Sequence, residues 1–131
     1  MKVARAESIE AQAVDMQGAK DCTVRWLVGE VDGAPTFAMR QFDVAPGGHT
    51  PRHSHPYEHE IYVLEGDGVA YEGDKARPLT KGDVIFVEPD EVHQFENTGD
   101  AVMKFLCLIP NSAAGKQVTV APECGIDPRG E

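Results

Sequence analysis

Four of the chain's five histidines fall between His49 and His59, in the stretch His49-Thr50-Pro51-Arg52-His53-Ser54-His55-Pro56-Tyr57-Glu58-His59-Glu60. The spacing His53-x-His55-x-x-x-His59 suits metal ligation from extended backbone. Strand side chains alternate faces, so residues two apart point the same way, about 6.6–6.8 Å apart along the chain. Imidazoles at 53 and 55 can therefore converge on one ion, and His59, past the Pro56 bend, returns on the same parity. His93 lies far along the chain at the end of another strand-like run. His49 shares the parity but precedes Thr50-Pro51, and reads as a rim residue. A metal site on a β scaffold is the expectation.

The elements that must position these groups are short. Glycine and proline punctuate the chain every eight to twelve residues, and the segments between them are rich in strand-forming residues. Strands are predicted at Thr23–Val28, Thr36–Val44, His59–Leu64, Val69–Glu72, Val84–Val87 (as a buried strand), Val92–Glu96 and Ala101–Ile109. Gly73-Asp74 reads as a hairpin turn. No helical period stands out between residues 20 and 110. The fold class is therefore all-β, a sandwich or barrel. A single domain is expected over 1–131, with its core at about 22–110, an arm or edge strand at 1–20 and a tail at 111–131.

Parity also assigns faces. His59, Ile61 and Val63 share one face, with Glu60, Tyr62 and Leu64 on the other. Met103, Phe105, Cys107 and Ile109 should face inward, as should His93 with Phe95. Phe95, Phe105 and Cys107 are thus candidates to wall a dry pocket beside the metal. Cys107 reads most simply as a buried small hydrophobe. Arg40 lies in Phe37-Ala38-Met39-Arg40-Gln41-Phe42, where both faces carry apolar residues; it reads as surface or edge, and as a pocket anion anchor if it points inward. Tyr57 reads as a loop aromatic, and Asn97 as turn chemistry with Gly99. Tyr62, Leu64, Trp26 and Leu27 are expected to form an apolar outer face, and pairing of such faces and strand edges predicts a homodimer.

Composition bounds the partners. The chain has 131 residues and a net charge of −10, with no lysine or arginine cluster. Nucleic acid and anionic membranes both require a basic footprint, so neither is expected. Met1 to Met16 has no apolar signal-peptide core, and no run approaches a membrane span. Three scattered cysteines are not a disulfide framework, which favours a reduced, cytoplasmic protein.

The motifs resemble those of the cupin superfamily, in particular small single-domain bacterial cupins. Gly47 is followed by five residues, His53-x-His55, three residues, position 59, six residues and Gly66, with His59 where that family usually has glutamate. In the second motif Gly82, His93 and Asn97 keep their spacing, Pro89 is displaced by one and Glu91 stands where glycine is usual. The resemblance covers roughly 24–110. It implies a jelly-roll barrel and one mononuclear divalent transition metal held by His53, His55, His59 and His93. A one-residue shift would make Glu60 the third ligand instead; the distance to Gly66 and strand parity both favour His59. The resemblance favours Mn(II) or Fe(II), while imidazoles also suit Ni, Cu and Zn. Four neutral imidazoles leave the ion its full charge, and a six-coordinate ion would keep two open positions. That pattern points to oxygen-dependent, dioxygenase-type chemistry on a small molecule. A metal-dependent isomerase or lyase and a non-catalytic small-molecule sensor are the alternatives, and the fold does not choose among them.

Overall fold

The computed structural model describes residues 1–111 and 119–120. Its strands are β1 (Gln12–Ala13), β2 (Lys20–Val28), β3 (Phe37–His49), β4 (His53–Ser54), β5 (His59–Glu65), β6 (Asp67–Glu72), β7 (Lys75–Thr80), β8 (Val84–Val87), β9 (His93–Glu96), β10 (Met103–Pro110) and β11 (Thr119–Val120). Helical structure among the described residues is confined to 3₁₀ turns, including those at Ala6–Ser8 and Glu30–Asp32. The all-β jelly roll expected from the sequence is the observed fold.

One wall runs β2–β3–β10–β5–β8, every neighbour antiparallel. The other runs β7–β6–β9–β4–β11. β3 joins them: its length pairs with β10, and its final residue His49 pairs with Glu96 of β9. The alternation of β10 is complete, with Met103, Phe105, Cys107 and Ile109 buried and the residues between them only partly so. A buried side chain of that size contributes about 1.5–3 kcal/mol of hydrophobic stabilisation. Phe42 and Phe105 stack with centroids 5.2 Å apart, and Phe105 meets Phe95 at 5.3 Å, so aromatic packing ties the two walls together.

Asn97 is more than turn chemistry. It is buried; its amide donates to the Val44 and Ala101 carbonyls, and its Oδ1 accepts from the Gly99 N–H. Gly66 has φ +89°, and a Cβ there would sit 2.8 Å from Met103 Cα, so glycine is required where β5 turns past β10.

Several expectations need correction. Val84–Val87 is not buried throughout: β8 pairs only with β5 among the described residues, and Val84 and Phe86 are exposed. β3 continues through Pro46-Gly47-Gly48 to His49, because the left-handed Gly47 lets the strand bend between walls. Lys75–Thr80, not among the predicted strands, is a strand paired to β6 across Gly73-Asp74. In the second motif the left-handed position usually given to glycine is taken by Asp90, at φ +67°, and not by Glu91. The N-terminal segment supplies an edge strand, β1 on β2. Of the expected tail, Asn111 is buried, with its N–H donating to the Thr36 carbonyl, and Thr119–Val120 pairs with His53–Ser54; the rest, Cys124 included, lies outside the described residues.

Candidate metal centre and its cavity

The four histidines reach one point from separate pieces of the barrel. His53 on β4 and His93 on β9 are direct cross-strand partners. His59 opens β5 and pairs with Val87. His55 sits on the bend between them, its carbonyl accepting from the Asp90 N–H at 2.7 Å. That bond joins the two motif segments at the left-handed Asp90. Ring centroids of the four lie 4.4–5.2 Å apart in five of the pairs.

Each ring is oriented by what its second nitrogen touches. His55 Nδ1 lies 2.7 Å from the Tyr57 carbonyl, and the Tyr57 ring stacks on it at 3.9 Å. His93 Nδ1 lies 2.8 Å from the Glu91 carbonyl. With those nitrogens donating, Nε2 of each ring is an acceptor aimed at the centre. His59 Nδ1 faces Cys107 Sγ at 3.0 Å and Arg40 Nη2 at 3.4 Å, leaving its Nε2 2.7 Å from that of His55.

The arrangement fits a metal ion. One donor atom from each histidine lies within 4.8 Å of all the others. Bonds of about 2.1 Å place opposite ligands about 4.2 Å apart, so a contraction of a few tenths of an ångström would close the shell. His93 Nε2 and His53 Nδ1 are buried with no hydrogen-bond partner, a cost that a cation at the centre would remove for whichever atom faces it. Burial drives the pKa of His53 down to about 3, with His93, His55 and Arg40 adding repulsion. Burial likewise takes His93 to about 4, against the bond to the Glu91 carbonyl. His55 and His59 are lowered too, chiefly by burial and then, for His59, by Arg40. All four imidazoles are therefore neutral at pH 7, the form that binds metal.

Glu60 is not part of this cluster. It is exposed on the outer face, and a hydrogen bond with Glu58 raises its pKa to about 7. His49 also stands apart, its Nδ1 near the Thr50 carbonyl and the Gln94 amide.

Beside the centre opens a cavity of about 470 Å³, lined by His53, His59 and His93 together with Phe95, Phe105 and Cys107, all three inward as parity predicts. Arg40 lines it too, so the reading of this residue as surface or edge is replaced by its pocket alternative. Sequence reasoning missed Trp26 and Phe42. Trp26 was expected on the outer face and is 38% exposed, yet its ring also packs 5.4 Å from the Arg40 guanidinium and lines the cavity. The register Trp26↔Arg40, two steps from Val24↔Phe42 and four from Cys22↔Val44, puts it on the inner parity of β2. The buried Cys22 is the signal that could have shown this. Tyr57, read as a loop aromatic, is instead the platform beneath His55.

The comparisons agree with this geometry. The family model for the cupin domain matches residues 40–109, the span from the cavity arginine to the end of the inward face of β10. The structure of the polyketide cyclase RemF from Streptomyces resistomycificus superposes with a TM-score of 0.86 at 33% identity, covering 98% of this chain and 89% of that one. The oxalate-binding protein of Thermotoga maritima is 42% identical over 65 residues, 49% of this chain and 54% of its own. The 1-methylthio-D-xylulose 5-phosphate methylsulfurylase of Rhodospirillum rubrum is 31% identical over 74 residues, 56% of this chain and 47% of its own. The chain thus spans about half the length of these two curated relatives. With the barrel, both motifs and the family match in agreement, this chain belongs to the cupin family.

Proposed function

We propose that this protein is a metal-dependent enzyme that acts on a small, mostly apolar molecule carrying several oxygens, and that it closes a ring in it. The observation that carries this reading is the four-imidazole centre opening into an aromatic-walled cavity of about 470 Å³. A sugar would require many polar partners for its hydroxyls, and the walls supply few. A divalent transition ion held by His53, His55, His59 and His93 would supply Lewis acidity, drawing electron density from a carbonyl or hydroxyl oxygen. Mn(II) and Fe(II) stay as proposals beside Zn, Ni and Cu, since imidazole accepts them all.

The chain's own residues do the rest. Phe42, Phe105 and Trp26 hold the apolar body and exclude water, which strengthens the field on the reacting atoms. His53, His59 and His93 belong both to the cluster and to the cavity lining, so an oxygen donor held in the cavity would lie beside the centre. In a 1,3,5-triketone the methylenes between carbonyls are acidic enough to enolise without a strongly basic side chain, and the enol oxygen at one end closes onto the carbonyl at the other, forming a C–O bond as water leaves. The likeness to the cyclase RemF over nearly the whole chain supports this choice. The oxygen-dependent reading uses the same centre, and the absence of a positioned acid–base pair among the cavity residues favours it over an isomerase. Two buried free thiols, Cys22 and Cys107, fit a reducing setting such as the cytoplasm. No helix among the described residues is long and apolar enough to cross a membrane.

The test is turnover of an aryl 1,3,5-triketone by zinc-loaded protein without oxygen. Ring closure with loss of water is the expected result. Consumption of the triketone only with iron or manganese, matched by oxygen uptake, would overturn ring closure in favour of the oxygen-dependent reading. Metal binding with no turnover of this or related polyketones would favour a binding module.

A further inference from the structure

Among the described residues Arg40 is a cation without a counter-ion: no carboxylate forms an ion pair with it. Its Nη2 reaches Cys107 Sγ at 3.0 Å and His59 Nδ1 at 3.4 Å, and its Nε is buried with no hydrogen-bond partner. The guanidinium lies over the rings of Phe42, at 4.9 Å, and Trp26, at 5.4 Å. Asp15, the one carboxylate among the cavity's lining residues, is exposed and not paired with it. A contact with the neutral Cys107 thiol and two ring faces do not neutralise a charge held out of water. The imidazoles beside it carry no compensating negative charge, and an ion among them would add positive charge. The cavity therefore has a cationic floor between apolar walls.

We propose that Arg40 is the specificity-determining residue for an anionic ligand, a carboxylate carried on an aromatic or otherwise apolar body. The carboxylate would accept from the guanidinium, including the free Nε–H, while the body lies among Phe42, Trp26 and Phe105. Arginine suits this better than lysine because its planar fork matches a carboxylate and stacks on rings. This inference rests on the proposed function and narrows its substrate class.

The probes are 2-hydroxybenzoate and its neutral amide, 2-hydroxybenzamide, which share a body and differ in charge. Binding is read by quenching of Trp26, the chain's single tryptophan. In wild-type protein, metal-free as well as zinc-loaded, the benzoate should bind more tightly. Arg40→Gln should weaken the benzoate by roughly 10- to 100-fold and the amide little, at unchanged zinc content. A benzoate preference that survives Arg40→Gln overturns the inference, and so does equal binding of both probes to metal-free wild type, a comparison independent of whether the variant folds. Equal binding leaves the apolar-cavity reading intact, whereas binding of neither probe to any form overturns both.

Discussion

Acid should destabilise the metal-free protein before most of its carboxylates are protonated. His93 moves from 6.5 in the unfolded chain to about 4 in the fold. Between those values the unfolded chain takes up a proton that the folded chain refuses, so stability falls as pH falls. Going from pH 7 to pH 5, this linkage costs about 2 kcal/mol for His93. His53, moved to about 3 but more accessible, brings the pair to at most about 4 kcal/mol. His55 and His59 are lowered as well and act in the same direction. Domains of this size are stable by about 5–15 kcal/mol, so the loss is a large share. Two effects oppose it. Self-repulsion in a chain of net charge −10 eases on acidification, and Glu60, raised to about 7, takes up its proton more readily folded than unfolded. Glu60 is exposed and screened, and the repulsion is spread over the surface, so neither should reverse the sign. Urea unfolding of chelator-treated protein, followed by Trp26 fluorescence at both pH values, measures the difference. His93→Asn should remove about 2 kcal/mol of the pH dependence. Equal stability at pH 7 and pH 5 in the wild type would refute the buried, neutral cluster.

His59→Ala should abolish stoichiometric metal binding while Glu60→Ala leaves it unchanged, measured as metal content after dialysis; the reverse pattern would restore the glutamate register. Asn97→Ala removes the three hydrogen bonds of a buried amide and should lower stability by about 2–4 kcal/mol in denaturant titration, with metal stoichiometry retained. We propose that the chain forms a homodimer through the outer face of β5 and β8, where Tyr62, Val84 and Phe86 are exposed side by side. Sedimentation at micromolar concentration should then show twice the 14.2 kDa chain mass, and Phe86→Glu should shift it toward monomer; a wild-type monomer would end that proposal.

What the sequence made legible was local. The four histidines could be read because strand parity and motif spacing act over a few residues, and the inward faces of β5 and β10 followed from the same alternation. Features set by distant partners could not be read. Trp26 and Leu27 are adjacent, and only pairing with β3, with its register shift after Trp26, decides which of them faces the cavity. Arg40 stands in a segment apolar on both faces, so its direction depends on Cys107 and His59, far along the chain. Four apolar residues at Val84–Val87 look like a buried strand, since a short run cannot reveal that its strand lies at an edge. The left-handed Asp90 bonds to the His55 carbonyl, a contact between motifs rather than within one.

The central claim is that His53, His55, His59 and His93 form one mononuclear centre. X-ray absorption at the zinc edge, on protein loaded with one zinc per chain, tests it most directly. The account predicts a first shell of nitrogen and oxygen at about 2.0–2.2 Å, with outer-shell scattering from four imidazoles and no sulfur. Scattering from two imidazoles or fewer, or a zinc–sulfur distance near 2.3 Å that would bring Cys107 into the shell, would contradict it.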